Sequence, residues 1–224
     1  MQSLPRCALK TPVFQVDTLN APMRIGLDLD NTLVCYDRVF VAAAREMGVP
    51  ALADTTDKTQ VREAARRFGG ETLWQSLQGQ VYGRLMPLAT LMEGAGDFLS
   101  RCRQRGIAVA IVSHKTEYGH FDPARVNLRH AAMDWLDNNG FFNADGFAMA
   151  RQSVHFETTR DEKVARIAAM DFSHFVDDLS EVLDHPAFPA RVQRLLFDPA
   201  GQTVEGCYRR CRTWKEIGQE IFGD

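Results

Sequence analysis

The chain has 224 residues, of which 45% are hydrophobic and 25% charged, and its formal net charge is −3. That length allows one large domain, or one domain with a small insertion. The weak negative charge argues against a general binder of nucleic acid or of anionic membrane, and no apolar run reaches the ~20 residues of a membrane span.

Residues 1–22 open with MQSLPRCALKTPVFQVD, which lacks the continuous apolar core of a secretory signal, and read as a short leader. The five cysteines, Cys7, Cys35, Cys102, Cys207 and Cys211, are odd in number and scattered. They read as reduced thiols, which places the chain in the cytoplasm.

Apolar runs then alternate with helical patterns, predicting an α/β fold with a mainly parallel sheet. The first strand covers residues 23–29 (MRIGLDL) and runs into the acidic cluster DLDN. Residues 37–91 break the alternation. They hold three helical patterns, VFVAAAREMG, KTQVREAARRF and ETLWQSLQGQVYG, and read as a small helical insertion. Residues 23–36 and 92–224 would then form the core. A helix over 94–105 puts Phe98, Leu99 and Cys102 on one face and stops before Gly106. The second strand, 107–112 (IAVAIV), runs into SHKT. A helix over 123–138 has Pro123 in its first turn and stops before Gly140. The third strand is 153–157 (SVHFE), followed by a helix over 161–170 behind the candidate caps Thr158 and Thr159. The fourth strand, 174–176 (HFV), ends in DDLS, and the fifth, 192–197 (VQRLLF), ends in DPAG. A helix over 213–222 closes the chain. Strands buried on both faces read as continuous apolar runs, as these do.

Open α/β sheets bind ligands beyond the carboxyl ends of their strands. Here those ends carry Asp28, Asp30 and Thr32, then Ser113, His114 and Lys115, then Asp177 and Asp178. A tight carboxylate cluster is costly unless a cation neutralises it. Oxygen-only ligands favour a hard ion, and Mg2+ suits a site that also holds phosphate. In D-x-D, the two carboxylates on an extended segment point to the same side while Leu29 points away. One can attack phosphorus while the other manages the leaving-group proton.

Taken together, these residues resemble the haloacid dehalogenase-like (HAD) phosphatase superfamily. DLDNT at 28–32 is similar to its first motif, D-x-D-x-T. Ser113 after an apolar strand is similar to its second, Lys163 to its third and Asp177-Asp178 to its fourth. The helical insertion sits where the family's C1 cap is inserted. The resemblance implies a Rossmann-like core and a phosphatase acting on a small phosphorylated metabolite. Asp28 would form an aspartyl-phosphate, and Asp30 would serve as acid and base. Mg2+ would be held by Asp28, the Asp30 backbone carbonyl and Asp177, with Asp178 as a further ligand or its support. Ser113, His114 and Lys163 form the phosphate-binding set, with Lys115 as the rival to Lys163. The second aspartate argues against the dehalogenase branch.

Other residues read more plainly. Arg62, Arg66 and Arg67 suit a solvated helix face. Trp74 and Tyr82 suit the core of the insertion. Residues 117–129 (EYGHFDPARVNLR) emerge at the rim of the site, and contact with substrate is expected from at least one of Glu117, Tyr118, His120 and Arg125. A phosphomutase or other phosphotransferase would share these motifs; a non-catalytic phosphate-binding or receiver-like module groups similar residues around Mg2+, but the D-x-D-x-T pattern and the insertion after the first strand disfavour it.

Overall fold

The computed structural model describes residues 23–50, 52, 57–122, 124–201 and 206–224. The leader at 1–22, with Cys7, lies outside them. In chain order the strands are β1 (Arg24–Leu27), β2 (Val34–Cys35), β3 (Thr90–Leu91), β4 (Ala108–His114), β5 (Val154–Glu157), β6 (His174–Asp177), β7 (Gln193–Phe197) and β8 (Arg209–Cys211). The helices are α1 (Asp37–Glu46), α2 (Lys58–Tyr82), α3 (Ala95–Gln104), α4 (Leu128–Asn138), α5 (Arg160–Ala169), α6 (Ser180–Leu183) and α7 (Trp214–Phe222).

Six strands form one parallel sheet in the order β5-β4-β1-β6-β7-β8. Successive side chains of a strand face opposite sides, and the sheet uses both. Ile25, Leu27, Ile111, Val176, Leu195 and Phe197 pack with Phe98 and Leu99 of α3, Trp135 of α4 and Ile217 of α7. Ala110, Val112, Phe175 and Leu196 pack on the other side with Val164 and Ile167 of α5 and Val182 and Leu183 of α6. The result is the helix–sheet–helix sandwich expected of a Rossmann-like α/β fold. No helix of the described residues is long and apolar enough to cross a membrane.

The antiparallel pair β2 and β3 joins Cys35 to Thr90 and Val34 to Leu91, so the chain leaves and re-enters the core at adjacent points. Between them lie α1 and α2. Phe40 stacks on Trp74 with ring centroids 5.1 Å apart, and Tyr36 meets Tyr82 edge-on at 4.9 Å. α2 opens with a capping box in which Asp57 and Gln60 exchange hydrogen bonds. It changes direction at Gly70, whose φ of 73 lies in the left-handed region that glycine adopts without strain.

Three expectations need correction. Regular pairing of the first strand stops at Leu27 rather than residue 29. Asn31 takes a positive φ of 63, and the amides of Leu33 and Val34 both turn back to the Leu29 carbonyl. The helix expected over 123–138 begins at Leu128, because the Asn127 side chain accepts from the amides of Arg129 and His130. The preceding turn is tied by the Asp122 carboxylate to the amides of Ala124 and Val126, and Pro123 is outside the described residues. Strand β8, RRC, was not expected. It is an edge strand paired only to β7, so it carries no continuous apolar run.

Candidate active site

Parallel pairing of β1 with β6 sets Leu27 beside Val176, so the residues that follow, Asp28 and Asp177, emerge together. The Asp28 amide donates to the Val176 carbonyl at 2.9 Å, which holds this register past the end of β1. Asp178 follows, and carboxylate oxygens of Asp28, Asp177 and Asp178 all lie within 4.8 Å of one another. Asp28 and Asp177 are buried. On the other side of β1, β4 delivers Ser113, which is also buried.

Lys163 comes from α5. Thr159 caps that helix and forms a capping box with Glu162, and the Lys163 amide donates to the Thr159 carbonyl. The side chain is buried and its Nζ lies 2.6 Å from Asp28 Oδ1 and 2.6 Å from Asp177 Oδ2. Burial opposes its charge, but Asp177 and Asp28 outweigh that and hold the ammonium above the usual lysine range. Lys115 sits elsewhere. Its Nζ is 3.0 Å from Asp30 Oδ1 and 2.8 Å from Asp30 Oδ2, and the Tyr36 hydroxyl donates to Asp30 Oδ1 at 2.6 Å. The two lysines therefore divide the acidic residues between them.

One ammonium does not balance three carboxylates. Burial first, then Asp177 and Asp30, push the Asp28 carboxyl up to about 7 against the pull of Lys163. Burial, then Asp28 and Asp177, likewise hold Asp178 well above the carboxylate range. Among the described residues, Asp28 Oδ2, Ser113 Oγ and Thr32 Oγ1 are buried without a hydrogen-bond partner. Buried polar atoms without partners are costly. Hard oxygen donors of three clustered carboxylates and their excess of negative charge fit a divalent ion of the Mg2+ type. The Ser113 hydroxyl and the Lys163 ammonium at the same strand ends fit an anion beside it.

A cavity of about 360 Å3 opens above these groups, lined by Asp28, Asp30, Lys163 and Asp178. Its other walls come from the end of β4 and the loop after it, with His114, then Lys115, Thr116 and His120, and from α2, including Gln75, Gln78 and Tyr82. His114 is exposed, with Nε2 2.9 Å from the Thr158 carbonyl oxygen. Trp74 is buried against Phe40, but Tyr82 lines the cavity, with the Lys115 ammonium 4.9 Å over its ring. Of Arg62, Arg66 and Arg67, the last two are exposed, and Arg66 pairs with Glu71. In the rim segment only His120 of the four named residues lines the cavity. Glu117 accepts from Asn127, and Arg125 lies over the Tyr118 ring. The loop rests on α2 through two glycines: a Cβ on Gly119 would meet the Gly79 Cα at 2.5 Å.

Sequence reasoning passed over Tyr36, Lys58, Gln75 and Gln78. The spacing of Gln75, Gln78 and Tyr82, three then four residues, is one helix face and was the available signal.

No protein-family model and no curated protein sequence matches the chain. Solved structures do. It is similar to a HAD family hydrolase from Deinococcus radiodurans R1 with bound phosphate and sodium, at TM-score 0.56 and 14% identity, over 91% of this chain and 97% of that one. It is similar to YfnB from Bacillus subtilis bound to magnesium, at TM-score 0.55 and 12% identity, over 90% and 99%. It is also similar to the protein tyrosine kinase A, PtkA, from Mycobacterium tuberculosis, at TM-score 0.55 and 17% identity, over 89% and 98%. The chain has the HAD-like fold. Fold alone does not fix the chemistry, which has to be argued from the site.

Proposed function

We propose that this HAD-like chain is a Mg2+-dependent phosphatase that hydrolyses a phosphate monoester of a small metabolite through a phosphorylated Asp28. The observation that carries the reading is the Lys163 ammonium 2.6 Å from Asp28 and Asp177, beside an Asp28 oxygen that is buried and unpartnered. One carboxylate oxygen is held by the lysine and the other is left to react.

Asp28 Oδ2 attacks phosphorus, the P–O bond to the ester oxygen breaks, and Asp30 gives that oxygen a proton. In the second step Asp30 takes a proton from a water that attacks the phosphoryl group, releasing inorganic phosphate and restoring Asp28. Ser113 and Lys163 hold the phosphoryl oxygens, with His114 at the cavity edge beside them. Tyr36 and Lys115 fix the Asp30 carboxylate. Asp28, the Asp30 carbonyl and Asp177 would hold the ion, with Asp178 beside them; it supplies charge that offsets the repulsion between carboxylate and phosphate. Residues 37–91 act as a cap, a role supported by the cavity wall that α2 provides, and closure over the site would exclude water.

The test is release of free phosphate from a panel of phosphate monoesters with Mg2+, for the wild type and for Asp28→Asn. The wild type should turn over and lose activity in excess chelator. The variant should fall by roughly three orders of magnitude or more while staying folded. Retention of a tenth of the activity by Asp28→Asn, or full activity in chelator, would refute the reading. The same assay, scored for isomerised product, separates hydrolysis from phosphoryl transfer.

A further inference from the structure

Three lysines line the cavity, and two are committed. Lys163 lies against Asp28 and Asp177, and Lys115 against Asp30. The third, Lys58, stands in the first turn of α2, and among the described residues it makes no ion pair. Its Nζ lies 5.6 Å over the Phe40 ring and 5.9 Å over the Tyr82 ring. Those rings are T-shaped to each other with centroids 5.8 Å apart, so they fix the side chain at the cavity wall without neutralising it.

Apart from Asp28, Asp30 and Asp178, the described residues of the wall include no acid. Gln75, Gln78 and Tyr82 of α2 face His114 at the end of β4 and Thr116 and His120 of the loop after it, and among the described lining residues only Leu128 and Leu179 are aliphatic. All six can donate a hydrogen bond. The volume of about 360 Å3 is at the small end of ligand cavities. A lining of donors with one unpaired cation disfavours aryl, lipid or cationic leaving groups.

Resting on the phosphatase reading of the same site, we propose that Lys58 is a specificity-determining residue that binds a second anionic group of the substrate. The preferred substrates are then small phosphate monoesters whose leaving group carries a carboxylate or a second phosphate. The two anions share one chemistry, acceptance of a charge-assisted hydrogen bond from an ammonium. The field of Lys58 also reaches Asp178 and Asp30. A lysine that served only as their counter-charge would strengthen every phosphate ester alike, which gives the two roles different signatures.

The experiment uses three-carbon probes matched in size: 3-hydroxypropyl phosphate, 3-phosphooxypropanoate and propane-1,3-diol bisphosphate. Affinities are measured by titration calorimetry with Mg2+ in an Asp28→Asn background, where the ester is not consumed, with Lys58 intact, Lys58→Gln or Lys58→Arg. With Lys58 intact, at least one bis-anionic probe should bind about tenfold or more tightly than the neutral one, and which one does so identifies the second anion. Lys58→Gln should bring that ratio to within about twofold, and Lys58→Arg should restore most of it. Equal affinity for all three probes, no affinity for any, or a ratio that survives Lys58→Gln would overturn the proposal. A uniform loss across the probes in Lys58→Gln would overturn it in favour of the counter-charge role. Failure of the phosphatase reading shows separately, as no phosphate released by the wild-type chain, and leaves the affinity ratio readable.

Discussion

The ammonium of Lys115 is 3.0 Å and 2.8 Å from the two carboxylate oxygens of Asp30, so the aspartate proposed as acid and base is gripped by a buried cation. The same cation lies over the ring of Tyr82 at the end of α2. The orientation of Asp30 thus depends on the helix that forms the cavity wall.

Lys115→Met removes the grip while keeping the bulk. Among the described residues, the Asp30 carboxylate then keeps its hydrogen bond from the Tyr36 hydroxyl alone. Turnover of an alkyl phosphate, whose leaving oxygen is basic, should fall by about ten- to a hundredfold, with a smaller loss on an activated aryl phosphate. Steady-state kcat on the two esters checks this. Equal losses on both would show that Lys115 does not act through Asp30.

Asp30→Asn removes the proton donor itself. An alkoxide is a poor leaving group, so loss on alkyl esters should be severe, by about 10²-fold or more. With an activated aryl phosphate the first step needs less help and the second still lacks its base. Phosphorylated Asp28 should therefore accumulate. Phosphoenzyme trapped by acid quench, compared between wild type and variant, is the measurement. No trapped species on the activated ester would move the acid and base role to another group, with His114 next in line.

The Asp28 carboxyl is pushed up to about 7 from 3.8, chiefly by burial. Between these values the folded chain binds more protons than the unfolded one, so stability falls as pH rises through that window. Asparagine does not ionise and escapes this loss. Without divalent metal, the Tm of Asp28→Asn relative to wild type should therefore rise by on the order of 5 °C between pH 4 and pH 8. Mg2+ should cancel much of the difference at pH 8 by stabilising the ionised wild type. A difference in Tm independent of pH would show that Asp28 is not held in its neutral form.

Gly119 and Gly79 bring the loop after β4 against α2, and Ser76 adds a hydrogen bond from its hydroxyl to the Phe121 carbonyl at 3.1 Å. The Cβ of Gly119→Ala would strike backbone, which has no rotamer to yield. The loop and the helix should separate, lowering Tm by about 2–4 °C for each kcal/mol lost. Because Thr116 and His120 line the cavity from this loop, KM should rise more than kcat falls. An unchanged KM with a lowered Tm would confine the contact to stability.

The sequence by itself determined what depends on local pattern. Apolar runs of strand length place the four central strands, β4, β1, β6 and β7, since burial on both faces leaves no alternation, and the shorter run of the edge strand β5 follows them. Polar groups directly after those runs mark the ends at which Asp28, Ser113 and Asp177 emerge, because parallel strands present all their carboxyl ends at one edge. The cap at Thr159 announces the helix that carries Lys163. Other features had no local signature. β8 is an edge strand and shows no apolar run, and the helix after the rim loop starts at Leu128, behind its Asn127 cap, rather than at the proline because side chains tie the intervening turn. The pairing of lysines with aspartates was decided only in three dimensions. Lys115 is 85 residues from Asp30 and Lys163 is 135 from Asp28, and such distances are closed by the register of the sheet and the packing of helices on it. Lys58, Gln75, Gln78 and Tyr82 reach the cavity for the same reason: a helical face shows which residues share a side, while what that side covers is set by the fold.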